Sequence, residues 1–102
     1  MLTNEKVLEI FRDYLSQDPA YEVVTTSRGY TVMAWDNYRE AWYDVRLCPT
    51  PEALRDALMD AYKNYLEYGT TPDARDLTEA EERAVQAKLR AMRERCREEE
   101  RK

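Results

Sequence analysis

The stretch Tyr30-Thr-Val-Met-Ala-Trp-Asp-Asn-Tyr-Arg-Glu-Ala-Trp-Tyr-Asp-Val-Arg-Leu47 constrains this chain more than any other. It reads as two β-strands joined at Asn37-Tyr38, and it holds both tryptophans. Tyr21 to Ser27 precedes it with the same alternation and several β-branched residues. Arg28-Gly29 supplies the turn between them, because glycine accepts the positive φ that hairpin turns require. Strands over 21–27, 30–36 and 40–48 therefore make an antiparallel meander.

Pairing across Arg28-Gly29 sets Val23 opposite Ala34 and Val24 opposite Met33. Pairing across Asn37-Tyr38 sets Val32 opposite Tyr43 and Met33 opposite Trp42. Side chains alternate along a strand, so two faces separate. One carries Tyr21, Val23, Tyr30, Val32, Ala34, Tyr43, Val45 and Leu47, and is the face expected to meet helices. The other carries Glu22, Val24, Thr31, Met33, Trp35, Trp42, Asp44 and Arg46. A face that simply met water would be polar, yet this one gathers Val24, Met33, Trp35 and Trp42. Each tryptophan offers on the order of 200 Å², enough for the patch to exceed the few hundred Å² a soluble monomer usually exposes. These four residues are the candidate binding site.

The rest of the chain reads as covering material. Thr3 or Asn4 caps a helix running to about Ser16, with Val7, Ile10, Phe11 and Tyr14 on one face. Asp18-Pro19 ends it, since the residue before proline is pushed out of the helical region. Thr50 caps a second helix with Pro51 at its first position, stopped at Gly69. Its apolar face is broad, from Leu54, Ala57, Leu58 and Ala61 to Tyr62, Tyr65 and Tyr68, and needs more than one neighbour. Thr78-x-x-Glu81 opens a third helix with a capping box. Its apolar stripe is thin: Val85, Leu89, Met92 and Cys96. Glu98 to Lys102 are expected to fray.

The expected fold is thus α+β: a three-stranded antiparallel meander with two helices on one face, in the order α-β-β-β-α, plus a C-terminal helix. Residues 1–69 form the αβββα domain, 70–77 a linker, and 78–102 an amphipathic helix. That helix has two possible uses. It folds back over the tryptophans, or it joins them in an interface with a protein partner or a second copy.

Charge bears on the class of partner. Formal net charge is −5 over 102 residues, with 36% charged and 43% hydrophobic. Residues 1–69 hold 7 basic and 12 acidic side chains, an acidic body that argues against broad phosphate binding. Arg83 to Lys102 holds 8 basic and 4 acidic residues, so the far end is locally positive. Arg83, Arg90 and Arg97 recur every seven residues with Arg93 beside them. They are the candidate contacts for nucleic acid or an acidic partner; the simpler and preferred reading is a solvated face whose positive end complements the helix dipole.

Chemistry finds little foothold. There is no histidine, the commonest general base and nitrogen ligand. Two isolated glycines make no phosphate-cradling loop. Cys48 and Cys96 have neither metal-ligand nor redox spacing, and read as buried thiols of a reduced, cytoplasmic chain. The carboxylates Glu79, Glu81 and Glu82 fit a helix's first turn. No catalytic residue, metal or cofactor is expected. Met1-Leu-Thr-Asn-Glu-Lys does not read as a signal peptide, and no run approaches the ~18 apolar residues of a membrane span.

The element order over residues 4–68 resembles the double-stranded-RNA-binding domain, in which two helices cover one face of a three-stranded sheet. That family carries a lysine cluster at the start of its second helix, where this chain reads Pro51-Glu-Ala-Leu-Arg-Asp56. Separately, Thr50-Pro-Glu-Ala-Leu-Arg and Tyr65-Leu-Glu-Tyr68, followed by Leu77-Thr-Glu-Ala-Glu81, look like small uncharacterised proteins of bacterial mobile elements. That likeness implies no activity. The expected function is a non-catalytic binding module acting through the open sheet face and the C-terminal helix, with nucleic-acid binding through the basic helix as the alternative.

Overall fold

The computed structural model describes residues 1–71, 73 and 75–102. The chain runs α1 (Asn4–Gln17), β1 (Tyr21–Thr26), β2 (Gly29–Asp36), β3 (Ala41–Cys48), α2 (Pro51–Thr70) and α3 (Glu79–Glu100). The fold is α+β, with one antiparallel sheet in the order β1-β2-β3. Local chemistry explains the helix ends. Thr3 accepts from the Lys6 N–H, Thr50 from the Ala53 N–H, and Pro51 opens α2 where its missing N–H costs nothing. At α3 the box is complete: Glu81 N–H donates to the Thr78 hydroxyl, and Thr78 N–H donates to the Glu81 carboxylate.

Two boundaries differ from the sequence reading. Helix α2 passes through Gly69 to Thr70 and is capped by Thr71, whose N–H donates to the Glu67 carbonyl. Helical glycine costs only about 1 kcal/mol, and the Thr70 and Thr71 hydroxyls donate to Leu66 and Glu67 carbonyls across that turn. At the other end α3 stays helical to Glu100 rather than fraying from Glu98. An ion pair from Arg55 of α2 to Glu100 and a bond from the Met1 ammonium to the Glu99 carbonyl (3.1 Å) hold it. Of the linker read at 70–77, Pro72 and Ala74 lie outside the described residues.

Strand parity is as read for β1 and β2, but both registers slide by two. Thr26 meets Gly29 across Ser27-Arg28, with Gly29 at φ +119° completing the turn. Val23 therefore faces Val32, and Val24 faces Thr31. The next loop is four residues, Asn37 to Glu40, its turn pinned by Tyr38 and Arg39 N–H groups donating to Asp36 Oδ1 at 2.9 and 3.2 Å. Trp42 consequently faces Trp35 and not Met33.

In β3 the alternation breaks. Tyr43 pairs with Ala34 but Arg46 pairs with Val32, so Asp44 and Val45 together oppose Met33. This is a β-bulge, with Asp44 at φ +51°, a left-handed conformation that aspartate tolerates better than most residues. Beyond it the faces exchange. Arg46 turns to the helix side and donates to Asp60 of α2 at 2.7 Å. Cys48 turns inward and is buried, while Leu47, assigned to the core by alternation, comes to the outer face opposite Thr31.

The core lies between the inner sheet face and the helices. Val32 and Cys48 join Val7, Phe11, Leu54 and Leu58, and Met92 and Cys96 of α3 belong to the same cluster. Beside it Tyr14 donates to Asp18 Oδ2 at 2.6 Å, while Ala20 N–H donates to Oδ1 at 2.9 Å, so α1 ends in a buried, satisfied carboxylate. Helix α3 buries the stripe expected of it, Val85, Leu89, Met92 and Cys96, against α2 and α1. It does not fold over the tryptophans. The least extent of the molecule is 18 Å, room for a sheet and one layer of helices about 8–10 Å away, and the outer sheet face carries no helix.

Leu89→Ala is expected to cost about 2–5 kcal/mol in urea unfolding, as a fully buried leucine truncated in place, with the folded protein's tryptophan emission unchanged. Bidentate Arg75 (2.8 Å) and the Thr78 N–H hold the Glu81 carboxyl at about 2, below its ordinary 4.5. A depressed pKa stabilises the fold above about 4.5 and loses that contribution as pH falls toward 2. Glu81→Gln keeps the box but not the charge. Its deficit in unfolding midpoint should be largest near neutrality and vanish in that acid window.

Candidate functional site

The outer face of the sheet is built in cross-strand rows. Val24, Thr31 and Leu47 form one row, with Thr31 only 6% exposed beneath its two apolar neighbours. Glu22 and Met33 form the next, opposite the bulge. Trp35 and Trp42 form the third, their ring centroids 5.0 Å apart at 66°, an edge-to-face contact. The Trp35 indole N–H donates to Asn37 Oδ1 at 2.7 Å, which fixes its ring over the turn. Trp42 stays 43% and Leu47 51% exposed. The four residues nominated from sequence thus share one face: Val24, Met33 and Trp35 half-buried within the sheet, and Trp42 at its open edge.

Leu47 is the member that alternation missed. Two signals near it point to the exchange: an aspartate mid-strand, able to take a left-handed φ, and a cysteine followed by proline at a strand end that must dive under a helix.

The arginines stand elsewhere. Arg83, Arg90, Arg93 and Arg97 are all exposed on α3, which packs on α2 and α1, so the structure does not join them to the tryptophans. Arg83 lies 4.0 Å from Glu79 and Arg97 3.8 Å from Glu94. Arg93 and Arg97 line a polar groove of about 400 Å³ with Asp56 and Asp60 of α2, bridged by the Arg55–Glu100 pair. Arg83, Arg93 and Arg97 of the row therefore have carboxylates close by.

Both cysteines are free and buried. Burial pushes the Cys48 and Cys96 thiols up, the opposite of what a reactive thiolate needs. Among the described residues no helix is long and apolar enough to cross a membrane.

No protein-family model matches the chain, and no curated protein or solved structure matches it.

Trp35→Phe leaves the exposed ring and Trp42→Phe leaves the tethered one. Acrylamide should quench the first variant more strongly, and its emission should lie further to the red.

Proposed function

We propose that this chain is a non-catalytic binding module that recognises a partner protein through the outer face of its sheet. The observation that carries the reading is the Trp35–Trp42 pair, on a face no helix covers. Tryptophan is among the residues that dominate binding energy at protein interfaces, because it brings a large rigid apolar surface at little rotamer cost. Here the pair is already ordered by its own contact and by Asn37, so little further ordering is needed on binding. Val24, Met33 and Leu47 extend it as apolar neighbours around the buried Thr31, with the Glu22 carboxylate beside them on β1. Helix α3 supports the module by packing in its core and is not itself the docking element, since its apolar stripe is spent on α1 and α2. Two free buried thiols support a reducing, cytoplasmic setting.

A photo-crosslinking amino acid in place of Trp42, with a control in place of Arg90 on α3, tests this in cells of the source organism. A discrete adduct from the first position only is expected, and it should be lost when Trp35→Ala is added in a variant that still folds by circular dichroism. Sedimentation then distinguishes a second copy from a different protein. Equal capture from both positions, or none from Trp42, overturns the reading.

A further inference from the structure

At one end of the molecule the last turns of α1 and α2, the start of β1 and the β2–β3 turn surround an open cleft of about 910 Å³. That volume is within the range of small-molecule sites. Its lining is distinctive in two ways. Five of the eight tyrosines lie along it: Tyr21, Tyr43, Tyr65 and Tyr68, with Tyr38 out in solvent at 97% exposure. It also includes the carboxylates Asp18, Asp36 and Glu67, and no lysine or arginine among the described residues.

The aromatic walls are held in place. Asn64 donates to the Tyr21 hydroxyl at 3.1 Å, Tyr65 donates to Gln17 at 3.4 Å, and the Tyr65 ring leans on Tyr14 with centroids 5.3 Å apart. Two of its carboxylates have a cation at the limit of ion-pair range: Arg39 is 3.9 Å from Asp36, and Lys63 is 3.9 Å from Glu67. The backbone adds to the negative potential. Both α1 and α2 end here, and neither has a basic residue in its last turn, whereas α3 carries Arg97 in its own. A helix C-terminus presents about half a negative charge, which a cation ordinarily offsets. The Tyr43 phenol is raised in pKa, first by burial and then by Tyr21, Asp36, Asp44 and Asp18, so the site resists any further negative charge.

We propose that this cleft binds a small organic cation of the alkylammonium class, its charge set among the tyrosine rings and answered by Asp36 and Glu67. A ring face attracts a cation through its quadrupole, and a quaternary or alkyl ammonium also buries apolar surface against the same ring. An inorganic cation would want oxygen ligands converging at short range. The cleft instead offers wide aromatic walls with carboxylates spaced among them, a better match for a diffuse charge. The cleft and the outer sheet face share Trp35, which lines both, but Trp42 is not part of the cleft, so a Trp42 variant tests the sheet face and leaves these walls in place.

Choline, tetramethylammonium and spermidine are titrated against the full chain by calorimetry and by amide chemical shifts. The neutral isostere 3,3-dimethyl-1-butanol serves as the control. Saturable binding of at least one amine is expected, with shifts centred on Tyr21, Tyr43, Glu67 and Tyr68 and with no comparable response to the isostere. Tyr43→Leu and Glu67→Gln should each weaken it, by about tenfold for the loss of a ring contact, and salt should weaken it further. Equal binding of the neutral isostere overturns the proposal. So do shifts centred elsewhere, the absence of saturation with all three amines, or unchanged affinity in both variants when they remain folded. The shift map on the unmodified chain decides the matter if a variant does not fold.

Discussion

The two-sided burial of α2 is the constraint on which the rest depends. Leu54, Ala57, Leu58 and Ala61 are buried, and the helix touches β2, β3, α1 and α3. Leucines at i and i+4 make a ridge, and the alanines three residues on leave a groove beside it, the relief that packed helices interlock through. Each leucine so buried is worth roughly 2–3 kcal/mol. Because α2 follows β3 after only Pro49 and Thr50, its position over the sheet is set at the same junction that buries Cys48. Once it lies there, one flank remains for α1 and another for α3, and the outer sheet face is left with no element to cover it.

The bulge at Asp44 then decides what that outer face contains. It sends Arg46 to Asp60 on the helix side and brings Leu47 out to Thr31, so that apolar residues run the length of the open surface. It also changes how the free edge of β3 behaves. A long regular edge invites another strand to pair with it, and a bulge flanked by charges discourages this. Asp44 and Arg46 lie 3.5 Å apart at that interruption. That edge of the sheet therefore presents side chains rather than an unbroken row of backbone groups.

Charge is sorted by the fold more finely than by the chain order. Some basic residues of α3 pair with carboxylates of their own helix, as at Arg97–Glu94, and Arg55 of α2 pairs with Glu100 of α3. The last turns of α1 and α2 carry no basic residue and meet at a cleft walled by tyrosine, with Arg39 and Lys63 each 3.9 Å from one of its carboxylates.

Much of this was legible in the residues themselves. Caps at Thr3, Thr50 and Thr78, the proline stops and the apolar stripes of all three helices are local signals, set by hydrogen bonds and spacing within a few residues, and they place the elements closely. The shared face of Val24, Met33, Trp35 and Trp42 follows from alternation alone, because a register slip of two preserves parity. Gly69 stays helical through bonds as local as the caps, from Thr70 and Thr71 to carbonyls four residues back, which the glycine outweighed in the sequence reading. Two things were decided only in three dimensions. The exchange of Leu47 and Arg46 needs one extra residue in β3, and alternation has no means of counting it. The place of α3 was open from sequence, since a thin apolar stripe fits any apolar surface of its width. It went to the groove between α1 and α2, where Met92 and Cys96 complete a core that the sheet and two helices leave unfinished, and the tryptophans stayed in the open.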